Sequence, residues 1–321
     1  LPTRRSRGRP PLPAPYKVTK SNFLTSIFQK YLSKKDIRNY KNSFSYYFFF
    51  RIIRNFLSHD LIIKIYNFKV YGSIKKNKTS YFLLKKCEFG DYHELNTLKK
   101  FSARNKLLFI DCGCNYGFYS FYTASLSDKN KVISIEASKY TSDEFIKNLK
   151  LNNFKNIEFF NKAVSNSVDK NISFYESVND WESSQTHNNF KLSSELNVKS
   201  ISIDSLFQEY FFNDYLVIIK MDVEGNEINV IRGALEVIKK FNPIIIIEFS
   251  KYIFDNSDNI DYLKSFLMKY GYNIYDTNYN KKSLEDILNM LKNLKKRYKT
   301  IGNFYLIKSS SNYLKVFLSN E

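Results

Sequence analysis

The stretch LLFIDCGCNYGFYS, Leu107 to Ser120, decides the fold of this 321-residue chain. It opens with an apolar run that ends in Asp111, passes through a glycine-containing loop and closes on residues with helical potential. This order predicts a strand, a tight loop and the first turn of a helix. In an open α/β sheet, a nucleotide-like ligand binds at such a loop, beside the carboxyl end of the first strand.

The spacing within the loop limits the kind of ligand. Gly113, Asn115 and Gly117 stand at every second position. A dinucleotide fingerprint needs a second glycine there so that the backbone can approach a pyrophosphate, and Asn115 takes that place. The loop therefore predicts a nucleoside ligand without a pyrophosphate, for which S-adenosylmethionine is the obvious candidate.

Composition predicts a globular chain with one basic end. The net charge is +19, and residues 1–60 hold 13 Lys and Arg residues against two Asp. Cys87, Cys112 and Cys114 form no disulfide framework, which predicts a reducing, cytoplasmic setting. No uncharged apolar run has the ~20 residues that a spanning helix needs.

Four segments are predicted: a disordered basic and proline-rich tail at 1–20, a helical and hairpin extension at 21–86, the main α/β domain at 87–310 and a C-terminal tail at 311–321. The aromatic run from Phe44 to Leu57 predicts a helix that either caps the core or touches a membrane or partner. Residues 61–86 predict two strands around a hairpin turn at Lys75–Lys78.

The second predicted strand, Lys131–Ile135, ends in Glu136. A carboxylate at this place can accept the two hydroxyl protons of a ribose. The next helix is expected to begin at Ser142 or Asp143, either of which can cap it. A third strand then leads into a turn at Ala163–Val164 that is expected beside an adenine ring.

Residues 166–203 predict a polar hairpin. Trp181 and His187 lie between its strands. The loop that carries them is either a substrate lid or an ordinary surface connection, and the sequence leaves both interpretations open.

Two later buried strands end in acidic residues. YLVIIKMD and IIIIEF are continuous apolar runs of the kind found in parallel sheets. Around their ends stand Lys220, Asp222, Glu224, Glu227 and Glu248. Burial of unpaired carboxylates is costly, so the cluster needs a partner: Lys220, a metal, a hydroxylic ligand or solvent.

The last two predicted strands, Tyr272–Asp276 and Asn303–Lys308, complete the sheet. Two late strands beside a parallel sheet predict an α/β, Rossmann-like fold of class I methyltransferases. In that layout the seven-stranded sheet is mostly parallel and its last strand inserts antiparallel.

Six motifs resemble those of FkbM-type methyltransferases in order and spacing. They are DCGCNYGFYS, VISIEAS, NKAVSN, SISIDSL, IKMDVEGNE with IRGAL, and IIIIEF. The resemblance runs from about Phe89 to Phe249, and IKMDVEG followed by RGA is its most specific part. Ala137 and Cys114 depart from the proline and alanine that the family often has there.

The resemblance implies a class I fold, S-adenosylmethionine as the methyl donor and O-methylation of a hydroxyl. Sugar units of glycans and glycolipids are common settings for the family, and natural-product hydroxyls are another. For the donor site we expect Asp111, Gly113, Asn115, Gly117, Glu136, Ala163 and Val164. For the acceptor side we expect Asp222 as the base, Glu224 as the second candidate, Lys220 and Glu248 beside them, and Glu94, His93 and Glu227 as substrate contacts. No resident metal is predicted.

Two other functions stay open. The basic arm could clamp a nucleic acid, although the fourth strand lacks the N-P-P-Y type of motif that holds a flipped base. Alternatively, the chain is a non-catalytic module docked on a membrane through Phe44 to Leu57. The main prediction is a cytoplasmic O-methyltransferase with a glycan or small-molecule hydroxyl acceptor, and for Phe44 to Leu57 a cap on the core and a peripheral membrane contact both stay open.

Overall fold

The computed structural model describes residues 36–41, 43–53, 61–72, 83–177, 192–207, 214–295 and 298–319, and the single positions 30, 32 and 34. The predicted tail at 1–20, the predicted turn at Lys75–Lys78 and the loop with Trp181 and His187 lie outside the described residues. The end of the aromatic run after Ile53 does as well.

The described strands are β1 Leu61–Ile65, β2 Phe68–Gly72, β3 Leu107–Cys112, β4 Lys131–Ile135, β5 Ile157–Phe160, β6 Ala163–Val164, β7 Asn171–Ser177, β8 Leu192–Ile201, β9 Leu216–Met221, β10 Ile244–Ser250, β11 Tyr272–Tyr275, β12 Lys281–Lys282 and β13 Thr300–Lys308. The described α-helices are α1 Phe44–Ile53, α2 Tyr92–Ser102, α3 Phe118–Leu126, α4 Lys139–Asn152, α5 Ile203–Phe207, α6 Glu227–Arg232, α7 Leu235–Phe241, α8 Lys251–Phe254, α9 Ser257–Tyr270, α10 Leu284–Lys292 and α11 Leu314–Leu318.

Within this part of the chain, eight strands form the main sheet, in the order β12-β11-β13-β10-β9-β3-β4-β5. Strands β5, β4, β3, β9 and β10 are parallel, and β13 inserts antiparallel between β10 and β11. The predicted α/β fold with its antiparallel last strand is thereby confirmed. The two-residue strand β12 adds an eighth strand to the seven that were predicted.

The sheet is covered on both faces. Along β3, Leu107 and Phe109 join one buried apolar cluster, while Leu108 and Ile110 join the other. This alternation follows from the two-residue period of a strand. The first cluster includes side chains from α1, α2, α3 and α4, and the second includes side chains from α5, α6, α7, α9 and α10. Helices on both faces leave the loops at the carboxyl ends of the strands free to build a site.

The predicted hairpin of the N-terminal extension is misplaced. Strands β1 and β2 pair antiparallel across a two-residue turn at Tyr66 and Asn67, and residues 83–86 are helical rather than extended. The hairpin is fastened to α4, where Asn148 and Asn152 accept hydrogen bonds from the backbone of β2, both at 2.7 Å. Side-chain amides of α4 therefore hydrogen-bond backbone N–H groups at the edge of β2 that does not pair with β1.

Two further local predictions are corrected. Helix α4 begins at Lys139, because Ser138 caps it and accepts a hydrogen bond from the Thr141 N–H, so Ser142 and Asp143 lie inside the helix. Ala163–Val164 is a short strand rather than a turn, and it pairs with β8 in a separate three-stranded sheet.

Helix α1 packs one face and exposes the other. Tyr46 and Phe50 are buried, while Phe44 is 85% exposed and Phe48 is 60% exposed. No helix among the described residues is both long enough and apolar enough to cross a bilayer. One face of α1 thus forms the predicted cap on the core, and the other face presents aromatic side chains to solvent.

The specific IRGAL motif has a packing role. Helix α6 ends at Arg232 and α7 begins at Leu235, with Gly233 at the break. A Cβ atom on Gly233 would lie 2.2 Å from the carbonyl oxygen of Ser165. The two backbones can approach this closely only because position 233 has no side chain.

We expect Gly233→Ala to lower the free energy of unfolding by about 1–3 kcal/mol, because backbone atoms must move to admit the methyl group. Chemical denaturation followed by circular dichroism measures this change. Gly90→Ala is the control, since a Cβ atom added at that position would meet no atom within 4 Å. It should change the stability by less than about 0.5 kcal/mol. Equal effects of the two substitutions would contradict the packing role.

Candidate active site

The site is built at the carboxyl ends of β3, β9 and β10. The register of the sheet sets Asp111 of β3 opposite Lys220 of β9. The Lys220 side chain is buried, and its Nζ donates to Oδ2 of Asp222 at 2.7 Å. The sheet thus places a buried cation between two of the predicted acidic residues.

Lys220 keeps its charge through its neighbours. Burial alone would lower the pKa of Lys220, but the carboxylates of Asp222 and Asp111 outweigh burial and raise it above its ordinary value. Nζ also lies 4.7 Å from the ring centroid of Tyr119, within the range of a cation–π contact. A charged lysine here partly neutralises the acids around it.

Asp111 is almost fully buried beneath the glycine loop. Ser120 donates a 2.6 Å hydrogen bond to its Oδ2, and Ser134 in turn donates to Ser120 at 2.8 Å. Burial raises the pKa of Asp111 to about 6, and Lys220 opposes that rise. This network ties the end of β3 to α3 and β4.

The glycine loop rests on protein contacts. A Cβ atom on Gly113 would lie 1.9 Å from the carbonyl oxygen of Asp222, and one on Gly117 would overlap the ring of Phe145. Gly113, Asn115 and Gly117 all have positive φ angles. The spacing of the motif is therefore required by the path of the loop and by its contact with the segment after β9.

Glu136 is buried at the end of β4 and holds the same loop. Its Oε2 accepts from the Asn115 N–H and its Oε1 from the Ser138 N–H, both at 2.8 Å. Burial raises the pKa of Glu136, and these two hydrogen bonds oppose that rise. The carboxylate thus lies directly beside the predicted donor loop and fixes its backbone.

Ala163 and Val164 are both buried. The carbonyl oxygen of Val164 accepts a 2.8 Å hydrogen bond from Nδ2 of Asn226. This bond joins the strand β6 to the polar segment after β9. A border with an adenine ring stays a prediction.

Glu227 lies beneath the turn that follows β9. Its Oε1 accepts from the N–H groups of Val223 and Gly225, both at 3.2 Å, while its buried Oε2 has no hydrogen-bond partner in the described part of the chain. Burial raises the pKa of Glu227 to about 7. A substrate contact of Glu227 stays a prediction, and in the structure its side chain holds the turn.

Asp222, Glu224 and Glu248 converge above this turn. One carboxylate oxygen from each lies within 4.8 Å of the other two. Burial, followed by the charge of Asp222, raises the pKa of Glu248. Acids at this spacing could hold a cation, but exposed acidic groups often lie this close without one, so the spacing alone does not define a metal site.

Helix α2 brings one of its two predicted residues to the acids. Glu94 is buried and accepts a 2.9 Å hydrogen bond from Nδ2 of Asn303, which pairs with Glu248 across β13 and β10. Burial and the neighbouring Asp91 raise the pKa of Glu94. His93 is exposed and meets the ring of Tyr92 edge-on, and no described contact joins it to the acids.

Three residues of this site were not predicted from the sequence. Asp91 accepts a 2.8 Å hydrogen bond from the Tyr119 hydroxyl, and its charge acts on Lys220. Asp91 stands one helical turn before Glu94, a spacing that could have grouped the two. Tyr119 lies in the opening motif, where it was counted only as a helix residue. Asn303 joins the site through the pairing of β13 with β10. The residues around Asn303 in the sequence do not indicate that pairing.

Carboxyl groups outnumber cationic groups in the described site, although burial raises the pKa of most of them. Its carboxylates are Asp91, Glu94, Asp111, Asp222, Glu224, Glu227 and Glu248, and the cation among them in the described contacts is Lys220. Such a site favours a ligand that carries positive charge. It can also accept hydroxyl protons through several carboxylate oxygens.

The model of the methyltransferase FkbM domain matches residues 111–274, about half of the chain. This match confirms the family resemblance seen in the sequence. The family consists of S-adenosylmethionine-dependent methyltransferases, so the predicted class of enzyme and its methyl donor are confirmed at the level of the family. No curated protein sequence matches significantly.

Solved structures show weaker similarity. The methyltransferase FkbM of Methylobacillus flagellatus is 18% identical, with a TM-score of 0.37, and the match covers 71% of this chain and 52% of that one. The present chain therefore spans about half the length of that relative. A putative caffeoyl-CoA O-methyltransferase of Staphylococcus aureus is 14% identical, with a TM-score of 0.39 and coverages of 88% and 99%. At this level of similarity neither structure bears on the function.

Glu227→Gln tests the buried carboxylate. The folded-state pKa of about 7 exceeds the ordinary 4.5, so the wild-type protein loses stability as the pH rises between these values. Glutamine keeps Oε1 as an acceptor but does not titrate. From pH 5 to pH 8 we expect the wild type to lose about 2–3 kcal/mol more of its free energy of unfolding than the variant.

Denaturation at several pH values measures this difference. Glu236→Gln, which removes an exposed carboxylate on α7, is the matched control and should leave the pH dependence unchanged. Parallel pH profiles for the wild type and Glu227→Gln would show that Glu227 ionises as freely in the folded as in the unfolded chain.

Proposed function

This chain belongs to the FkbM methyltransferase family, and from that premise we propose that it transfers a methyl group from S-adenosylmethionine to a sugar hydroxyl of a glycan or glycolipid. The observation that carries the proposal is the set of carboxylates at the ends of three adjoining strands, with Asp222 held by Lys220 beside the donor loop. A sugar presents several hydroxyls to such a set.

The donor is assigned to the loop between β3 and α3. Glu136 is assigned to the ribose hydroxyls, and its hydrogen bond to the Asn115 N–H within this loop supports the assignment. The sulfonium and the amino group of the donor are cationic, so the excess of carboxylates favours them. Asp111 orients the loop or the amino group, and Ala163 with Val164 borders the adenine.

Asp222 is assigned as the base. Its Oδ2 is held by Lys220, while the side chain is 35% exposed and offers a second oxygen to an acceptor. Methyl transfer is an in-line displacement, and alignment of the reactants can supply ~7–11 kcal/mol. Removal of the hydroxyl proton by Asp222 adds roughly 10²–10⁴-fold.

The neighbouring acids support this step. A carboxylate oxygen of Glu248 lies within 4.8 Å of one of Asp222, and the raised pKa of Glu248 suits a group that holds a proton beside the base. Glu224 is the second candidate for the base. Lys220 steadies the negative charge that develops on the acceptor oxygen.

The setting of the enzyme is part of the same proposal. Phe44 and Phe48 form an exposed aromatic pair on α1, with ring centroids 6.5 Å apart, which supports a peripheral contact with a membrane. Cys87, Cys112 and Cys114 are free thiols, in agreement with a reducing, cytoplasmic compartment.

Asp222→Asn tests the base. We expect methyl transfer to fall roughly 10²–10⁴-fold, because the amide cannot take up the proton. Labelled S-adenosylmethionine, incubated with glycan and lipid fractions, provides the assay, and calorimetry with S-adenosylhomocysteine measures donor affinity separately. Donor affinity should stay within about threefold of wild type, since Asp222 serves the acceptor.

The matched control is Asp261→Asn, on the exposed side of α9, which should leave turnover unchanged. Near-normal turnover of Asp222→Asn would remove Asp222 as the base. Dialysis against EDTA separates a base from a metal ligand. Turnover that survives chelation agrees with the base, and turnover that is lost and then restored by a divalent cation contradicts it.

Glu136→Ala tests the ribose contact. Loss of hydrogen bonds to a charged group should weaken S-adenosylhomocysteine binding about 10- to 100-fold. Because Glu136 also holds the Asn115 backbone, the same calorimetry is repeated with the 2′,3′-dideoxy analogue. We expect the substitution to weaken the analogue much less. Equal losses for both ligands would mean that Glu136 acts only through the loop.

A further inference from the structure

A cavity of about 290 Å³ lies between the N-terminal extension and helices α2 and α3. Its walls include the segment before α1, the turn of the β1–β2 hairpin, residues 88–99 and the end of α3. Most of these residues precede the family-matched segment at 111–274. The cavity is therefore built largely from parts of the chain that the family model does not cover.

Basic side chains outnumber acidic ones among the described residues of this cavity. Arg38, Lys41 and Lys99 line it together with one acid, Glu88. Lys41 pairs with Glu88, whereas no described ion pair involves Lys99, which is exposed on α2. Arg38 is paired with Asp36, so one positive charge, that of Lys99, is left over, and the cavity favours an anion.

Arg38 is held in place as part of the wall. Its Nη2 donates to Oδ2 of Asp36 at 2.7 Å, and its Nε donates to both carboxylate oxygens. Its guanidinium lies 3.8 Å from the ring centroid of Tyr66. A guanidinium fixed by a carboxylate and an aromatic ring loses little side-chain entropy when it meets a ligand.

Aromatic and amide groups complete the lining. Tyr66, Phe89, Tyr92 and Tyr122 also line the cavity; Tyr92 is 61% exposed, whereas the Phe89 ring stacks on Phe118. Asn67, Asn96 and Ser125 also line it and offer hydrogen-bond donors and acceptors. Flat apolar faces beside a few polar groups suit a ring that has C–H faces and hydroxyl edges, which is the chemistry of a sugar.

We propose that this cavity binds an anionic sugar unit of the acceptor, with Lys99 and Arg38 on its phosphate or carboxylate and Tyr92 against its ring. The identification of the ligand as part of the acceptor rests on the proposed function. The cavity thus forms a specificity site separate from the carboxylates that perform the transfer.

The cavity and the acid cluster share two helices. On α2, Glu94 joins the acids and the next residue, Leu95, lines the cavity. On α3, Tyr119 contacts Asp91 and one turn later Tyr122 lines the cavity. An acceptor of more than one sugar unit can place its reacting hydroxyl at the acids and an anionic unit on the neighbouring side of these helices.

Calorimetry on the full chain tests the site with glucose 1-phosphate as the probe. We expect it to bind at least about tenfold more tightly than either glucose or inorganic phosphate, since each of those lacks one half of the recognised chemistry. Lys99→Glu and Tyr92→Ala should each weaken the probe about tenfold or more. Both side chains are exposed, so neither change removes core packing.

Lys264→Glu is the matched control. It reverses the same charge on the exposed face of α9 and should leave the affinity for glucose 1-phosphate unchanged. S-adenosylhomocysteine should bind equally well to all of these variants. The proposal is overturned if either inorganic phosphate or glucose binds as tightly as glucose 1-phosphate. It is also overturned if the Lys99→Glu variant binds glucose 1-phosphate as tightly as the wild type.

The two proposals can fail separately. If no glycan is methylated but Lys99→Glu still abolishes glucose 1-phosphate binding, the sugar site stands and the proposed function falls. If an anionic glycan is methylated and Lys99→Glu leaves its KM unchanged, the proposed function stands and the sugar site falls. A rise in KM without a change in kcat supports both.

Discussion

The site depends on the ion pair between Lys220 and Asp222. A lysine buried alone would lose its proton, and the surrounding carboxylates, if left alone, would regain theirs. The pairing of β3 with β9 keeps Lys220 charged and opposes protonation of the acids, because it fixes Asp111 opposite Lys220 while Asp222 follows one residue beyond the strand. Lys220 in turn lowers the pKa values of Asp111 and Glu248 against the effect of burial. The charges therefore stabilise one another.

The same packing joins the donor loop to the acids. The carbonyl oxygen of Asp222 lies where a side chain on Gly113 would be, and the Asp222 N–H donates to the Cys112 carbonyl at 3.1 Å. The loop after β3 and the turn after β9 thus meet through their backbones. These contacts fix the proposed donor loop and the proposed base relative to each other.

The sequence was most informative where local pattern and tertiary structure agree. Continuous apolar runs located β3, β9 and β10, because a strand that is buried on both faces is apolar at nearly every position. The hairpin at Tyr66 was missed because its turn uses a tyrosine at a positive φ of 50°, a position where asparagine or glycine is expected. Ser138 was not predicted as a cap because its role depends on the bend after Glu136. Asn303 is joined to Glu94 across 209 residues, a contact that no local pattern encodes.

The residues divide into two groups by origin. The family-matched segment supplies the glycine loop, Lys220 and the acids Asp222, Glu224 and Glu248, to which we assign the donor and the acceptor. Asp91 and Glu94 of α2 and Asn303 of β13 lie outside that segment, yet they close the same site. Under the proposed function, the first group carries the methyl transfer and the second group shapes the acceptor side. Because α2 also forms a wall of the basic aromatic cavity, differences in acceptor among chains with this core are expected to arise in the segments that flank it rather than in the core itself.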